Sequence, residues 1–192
     1  MRSIDQLKID RILKAALDIV YSEGFDHISL RRIAELAKVS SGTPYVYFKD
    51  KQDLLTSLYF TCLEYAMDGL QESMNSAVLP KEKIYIWLSQ MVRKYCDVPL
   101  MVKYLIGFYG RPDLFTEEVK KRYLEMYISL EPLCREAISS GQAKTSDPAV
   151  MQTMLIAPVI RLFDVYDGRE NQFDPNTYEE CIRLSVNSVL YE

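Results

Sequence analysis

Histidine is almost missing from this 192-residue chain, His27 being the only one, and the four cysteines, Cys62, Cys96, Cys134 and Cys181, stand 34, 38 and 47 residues apart without a CxxC pair. Structural zinc needs such ligands at short spacing, so neither a metal nor another cofactor is expected. Motifs that carry catalysis are lacking too: there is no HExxH, no nucleophile elbow and no glycine-rich phosphate loop after a strand, and an enzyme is not expected. No segment approaches 18 uninterrupted apolar residues, and MRSIDQLKIDR at the N-terminus carries two acids before the first apolar stripe, unlike a signal peptide. The expectation is a cytoplasmic protein with no membrane partner. An excess of positive charge is also absent, with 23 Lys+Arg against 27 Asp+Glu and a formal charge of −4. A wholly basic coat for nucleic acid is thereby excluded, and any DNA contact has to be local.

What is present is apolar patterning at helical spacing. Apolar residues make up 48% of the chain and charged ones 26%, enough for one compact domain or two small ones sharing a core. Glycine is scarce at 7, proline stands at 8, and apolar residues recur every three or four positions, which predicts an all-α protein. The first helix carries Ile9, Ile12, Leu13, Ala16, Leu17 and Val20 on one stripe and should stop near Glu23-Gly24. Ser29 reads as the N-cap of a short second helix, with Ile28 and Ile33 as a hydrophobic staple and Ile33, Ala34 and Ala37 facing inward. A short third helix is expected from Ser40 and a long fourth from Asp50, whose carboxylate caps it. Further helices are expected at roughly 80–95, 99–108, 116–140, 148–167 and 175–191. Asp147-Pro148 and Asp174-Pro175 have the form of an N-cap followed by proline in the first helical position, whereas Pro132 and Pro158 lie inside periodic stretches and should kink or split them. Val46 and Phe48 are assigned to the core, and His27 to the connection before the second helix.

Residues 29–55, SLRRIAELAKVSSGTPYVYFKDKQDLL, thus read as a helix-turn-helix followed by a capped long helix. The stretch from Leu7 to Leu55 resembles the DNA-binding domain of the TetR family of bacterial transcriptional regulators. Ile33-Ala34, Ala37, Val39-Ser40, Gly42-Thr43, Tyr45, Tyr47-Phe48, Lys51 and Leu54-Leu55 stand where that family's pattern places them. The resemblance implies an N-terminal three-helix helix-turn-helix domain, residues 1–50, joined by a long fourth helix to a C-terminal helical ligand-binding and dimerisation domain, residues 51–192, with about nine helices in all.

The second short helix of such a motif enters the major groove by its N-terminal end, where free backbone N–H groups favour phosphate. Ser40, Ser41, Gly42 and Thr43 offer hydroxyls and a bare backbone there, while Tyr45 and Tyr47 supply rigid arms ending in a hydroxyl. Lys51 resembles the family's phosphate-contacting lysine, and Ser29 matches a position that touches phosphate. Lys38 occupies a turn position where the family often has glycine; a left-handed backbone there would cost about 1 kcal/mol, although the residue adds a charge near phosphate. Pro44 replaces a frequent aliphatic residue and, counted from a Ser40 cap, would remove the first intrahelical hydrogen bond. Residues 1–55 hold nine basic and eight acidic side chains, against a net −5 for the remainder, so the positive edge lies on the helix-turn-helix.

Beyond residue 55, Met and Tyr are frequent. They are ordinary core fillers, but the family resemblance implies a pocket for a small-molecule effector, for which Trp87, Met91, Tyr95 and Tyr104 are candidates, with Phe108, Tyr127 and Met154. Arg161 interrupts an apolar run with Asp164 three residues on, and reads as an intrahelical ion pair, a ligand contact or a cross-dimer contact. The helix at 148–167 is apolar nearly all round and must be covered on two sides; with the helix at 175–191 it resembles the family's dimer-forming pair. The sequence thus points to a dimeric, ligand-responsive regulator, a repressor on an inverted-repeat operator in double-stranded DNA. The alternative is a helix-turn-helix-shaped protein-interaction module that does not read DNA. A thiol-based redox sensor finds no sequence feature that would lower a cysteine pKa.

Overall fold

The computed structural model of the chain describes residues 4–126, 129–166 and 174–191. The described residues form α1 (Ile4–Glu23), a 3-10 turn (Phe25–His27), α2 (Leu30–Ala37), α3 (Thr43–Tyr47), α4 (Lys51–Met67), α5 (Leu70–Met74) and α6 (Pro80–Asp97). There follow α7 (Pro99–Tyr109), α8 (Glu117–Met126), α9 (Leu130–Ser139), α10 (Pro148–Tyr166) and α11 (Pro175–Val189). No strand occurs among them, so the fold is all-α. The chain divides into two compact units, Met1–Ala66 with Val98–Tyr123, and Met67–Asp97 with Leu124–Glu192.

In the first unit α1 buries Ile12, Leu13, Ala16, Leu17 and Val20, but also Ala15 and Ile19, because it packs on α2 and on α7. Gly24, with φ 90°, ends α1 in a conformation that disfavours a side chain. Asp50 caps α4 by accepting from the Asp53 amide at 2.9 Å, and the Asp53 carboxylate accepts in return from the Lys49 amide at 2.9 Å, a reciprocal cap. An aromatic cluster holds the unit together: Tyr59 stacks on Phe108 at 4.5 Å, and Phe25 lies 5.3 Å from Tyr104. The buried Tyr104 hydroxyl donates to the Leu55 carbonyl at 2.8 Å. A Cβ at Gly107 would stand 3.0 Å from the Phe25 ring, so glycine lets α7 approach this closely.

In the second unit α6 packs on α5, α9, α10 and α11. α10 buries Met151, Leu155, Val159 and Phe163 along one stripe, and Phe163 stacks on Tyr95 of α6 with ring centroids 3.8 Å apart. α11 buries Tyr178, Ile182, Ser185, Val186 and Val189. Both expected aspartate caps form: Asp147 accepts from the Ala149 amide at 2.8 Å and Asp174 from the Asn176 amide at 3.0 Å, the latter holding the Asp174 carboxyl below the usual range.

Two local expectations change: α3 begins at Thr43 rather than Ser40, and α5 is an additional helix. The stretch 116–140, expected to be kinked or split by Pro132, is present as α8 and α9, and α10 is not split at Pro158. α5 is set off by Gly69 at φ 76° and held by the buried pair Leu70 and Met74. Pro132 falls at the third position of α9, where its missing N–H is no loss. Pro158 denies α10 the bond to the Met154 carbonyl and crowds that carbonyl, yet the helix runs on through it with Leu155, Val159 and Phe163 buried.

Candidate nucleic-acid interface

The turn between α2 and α3 is set by hydrogen bonds. Ser29, at φ −142° and ψ 145°, caps α2 by accepting from the Arg32 amide at 3.3 Å. At the other end Lys38 is left-handed, φ 54° and ψ 48°, and so incurs the cost of that backbone for a residue other than glycine. The Val39 amide donates to Ala34 at 3.0 Å and the Lys38 amide to Glu35 at 3.2 Å, the paired closure of a Schellman turn. Arg11 of α1 donates to the carbonyls of Ala37 and of Lys38, the second at 2.7 Å, and so fixes the end of α2 from outside. Sequence reasoning missed this role, since 26 and 27 residues separate the partners.

Beyond the turn, the Thr43 amide donates to the Ser40 carbonyl at 2.9 Å and the two hydroxyls meet at 2.6 Å. Residues 40–43 therefore form a turn leading into α3, not its first turn. Pro44 is the reason: with Gly42 as N-cap it occupies the second helical position, where no intrahelical donor is needed, and it is buried. Gly42 has an ordinary helical backbone, φ −81°, and a Cβ there would meet nothing within 4 Å. Neither the chain's conformation nor its packing requires glycine at this exposed position.

Ser29, Lys38, Ser40, Ser41, Gly42 and Tyr45 are exposed, whereas Thr43, Tyr47 and Lys51 are half-buried. Phe48 is buried as expected, but Val46 is 75% exposed, which corrects its assignment to the core. On a five-residue helix the buried side is taken by Pro44 and Phe48, four positions apart, and Val46 falls on the opposite side. The Tyr47 hydroxyl donates to Asp5 of α1 at 2.9 Å, and Lys51 Nζ lies 3.4 Å from the Asp26 carbonyl. Arg111 then binds Asp26 at 3.1 Å and Asp113 at 2.8 Å, holding the Asp113 carboxyl below its usual range. A groove of about 570 Å³ between α1 and α2 is lined by Asp18, Glu23 and Glu35 with Arg32, and its acidity makes it unsuited to phosphate.

The effector candidates fall in both units. Tyr104 and Phe108 belong to the aromatic cluster of the first; Trp87, Met91 and Tyr95 lie on α6 of the second, beside the buried Gln90 and Lys94. Met154 is 45% exposed, and Arg161 is exposed and paired with Asp164 at 3.4 Å. Tyr127 lies outside the described residues. Desolvation pushes the Cys62 thiol up to about 12 and the Cys134 thiol up to about 11; Cys96, although exposed, is raised to about 11, and Cys181 is raised as well, so none is activated as a thiolate.

A capped helix, a pinned turn and a short helix with exposed hydroxyls and lysines define a helix-turn-helix of the DNA-binding regulators. Residues 12–58 match the family described as "Bacterial regulatory proteins, tetR family". Over 96% of both chains the protein is 23% identical to an uncharacterized HTH-type transcriptional regulator of Bacillus subtilis (strain 168), YhgD, and over 43% of both chains it is 30% identical to the "Fatty acid metabolism regulator protein" of the same organism. Its fold matches a TetR family transcription regulator from Marinobacter aquaeolei VT8 with a TM-score of 0.86 over all of both chains at 21% identity. It also matches the transcriptional regulator FadR from Bacillus subtilis, solved in complex with stearoyl-CoA, with a TM-score of 0.71 over 92% of this chain and 97% of that one at 22% identity. Residues 12–58 thus carry the helix-turn-helix of the bacterial regulatory proteins of the tetR family, the chain as a whole has the fold of solved TetR-family regulators, and these likenesses support a DNA-binding regulator.

Proposed function

We propose that the protein is a cytoplasmic, dimeric, ligand-responsive repressor that places one helix-turn-helix head, residues 1–50, on each half of an inverted-repeat operator. The observation that carries the DNA reading is Gly42, a glycine that neither backbone nor packing demands, on an exposed turn beside Ser40, Ser41 and Thr43. Glycine is an accepted helix N-cap, and the absent side chain also lets a partner approach the backbone closely, as a DNA phosphate or base edge does. Lys38, Tyr45, Tyr47 and Lys51 supply the charge and the donors around it, and Ser29 a further hydroxyl.

Support for the dimer lies in α10. By length and composition it is apolar enough to cross a membrane, yet only 22% of its most apolar stretch is buried within the chain. Val150 and Met154 on α10 and Leu184 on α11 are each about half exposed. A second copy packed on α10 and α11 would cover them in a four-helix arrangement, with Arg161 at the margin.

Residues 51–192 would hold the effector. Trp87, Met91 and Tyr95 offer an apolar wall, and the buried Lys94 on the same helix suits an acidic end. The solved relative that carries stearoyl-CoA makes a long-chain acyl thioester the first class to try.

Titration of the selected operator with wild type, Tyr47→Ala and Lys51→Ala tests the reading. Each substitution should weaken binding about tenfold or more while sedimentation still shows a dimer, and stearoyl-CoA should change the wild-type affinity. Unchanged affinity in both variants would remove the residue assignment, and no response to the thioester would remove that ligand class.

A further inference from the structure

Two donors converge on one exposed carboxylate beside α3. The Tyr47 hydroxyl donates to Asp5 Oδ1 at 2.9 Å, and Lys8 Nζ stands 3.6 Å from the same oxygen. The Asp5 side chain is 70% exposed. Water could therefore solvate it fully, and neither partner is needed to bury it. A phenol hydroxyl and an ammonium around a single anionic oxygen are also what a non-bridging phosphate oxygen of DNA takes from a protein.

We propose that Lys8 and Tyr47 form a phosphate-binding subsite that Asp5 occupies in the free protein, so that Asp5 competes with the operator backbone and holds affinity below what these donors alone would give. The proposal rests on the DNA reading above and adds Lys8 and Asp5 to it. A phenol has one hydrogen to donate, so while Asp5 accepts it a phosphate cannot. When the backbone arrives, Tyr47 must turn from one anion to another, and the displaced carboxylate is left near a second negative charge. Both effects oppose binding. By accepting its hydrogen bond Asp5 also raises the Tyr47 pKa, and since an ordinary phenol is already protonated near neutral pH, Tyr47 is a donor to either anion. Lys51 differs, because its acceptor is the uncharged Asp26 carbonyl at 3.4 Å, and phosphate displaces it without repulsion from that group.

The test uses the full-length protein and a fluorescein-labelled duplex carrying the repeat that the wild type selects from random-sequence DNA. Asp5→Asn and Asp5→Ala should each bind about two- to fivefold more tightly per head. The plot of log affinity against log salt should steepen by about one per head, because Lys8 and Tyr47 then meet phosphate without an internal anion. In a Tyr47→Phe background the gain from Asp5→Asn should shrink, and Lys8→Gln should reverse part of it. A change of stability alone would not move the salt slope. Affinity unchanged or lowered in both Asp5 variants, or a gain undiminished by Tyr47→Phe, would overturn the proposal while leaving the DNA reading intact. Failure of the wild type to select any sequence would overturn both.

Discussion

Lys38 is where the needs of the fold and of the function pull in different directions. Its left-handed backbone is one that glycine adopts freely, and Arg11 braces the carbonyl on its far side. Replacing it with glycine should stabilise the protein by about 0.5–1 kcal/mol, provided the Schellman closure is kept. The same change removes a charge from the DNA-facing edge. Lys38→Gly should therefore raise the thermal midpoint, lower operator affinity and flatten the salt slope by about one. A lower midpoint with unaltered affinity would show that the residue serves the turn alone. The residues proposed for the interface could be named from the sequence because they follow one another along the chain. The tethers Arg11, Asp5 and Asp26 were not, since each acts across 25 or more residues on a partner brought near only by folding. Val46 was misassigned because a short helix next to a proline repeats too few positions for periodicity to fix its buried side.

At the level of elements, helix ends were the most readable feature, since a cap and its proline or glycine are local chemistry. Gly24, Ser29, Asp50, Asp147 and Asp174 all act where the pattern places them. Helix starts and interruptions around proline were less readable, because position within the first turn decides whether the missing N–H matters. Pro44 moved the start of α3 by three residues, while Pro158 left α10 continuous. Membership of α7 in the same compact unit as α1 to α3 could not be foreseen from spacing, as it depends on Gly107 meeting Phe25. In an open helix Gly107→Ala would stabilise by about 1 kcal/mol. Here the half-buried Phe25 ring, in contact with Tyr104 and Phe108, would have to give way to the added Cβ. The variant should melt at a lower temperature than wild type, and Phe25→Leu in the same chain should recover part of the loss. A higher midpoint for Gly107→Ala alone would contradict the close-packed account of α7.

For the whole molecule, the exposed apolar side of α10 is the feature on which the proposed dimer rests. Met154→Glu with Leu184→Glu would place charge on the surface assigned to the second copy, at positions half exposed in one chain and so tolerant of substitution. Sedimentation should then find monomers of unchanged helicity, and operator affinity should fall by about a hundredfold or more as one head loses the help of the other. Dimers surviving the double change would move the interface elsewhere. The all-α fold and the regulator class could be reached from the sequence, whereas the effector could not, since Met and Tyr at helical spacing fill cores as readily as they line cavities.

The central claim, that the turn from Ser40 to Thr43 and the lysines beside it read DNA, is tested most directly by selecting bound fragments from the host's genomic DNA at two salt concentrations. Lys51→Ala serves as the comparison protein. The account predicts enrichment of one inverted repeat by the wild type, weaker at the higher salt and largely lost in the variant. Equal recovery by both proteins, or no common sequence at either salt, would contradict it.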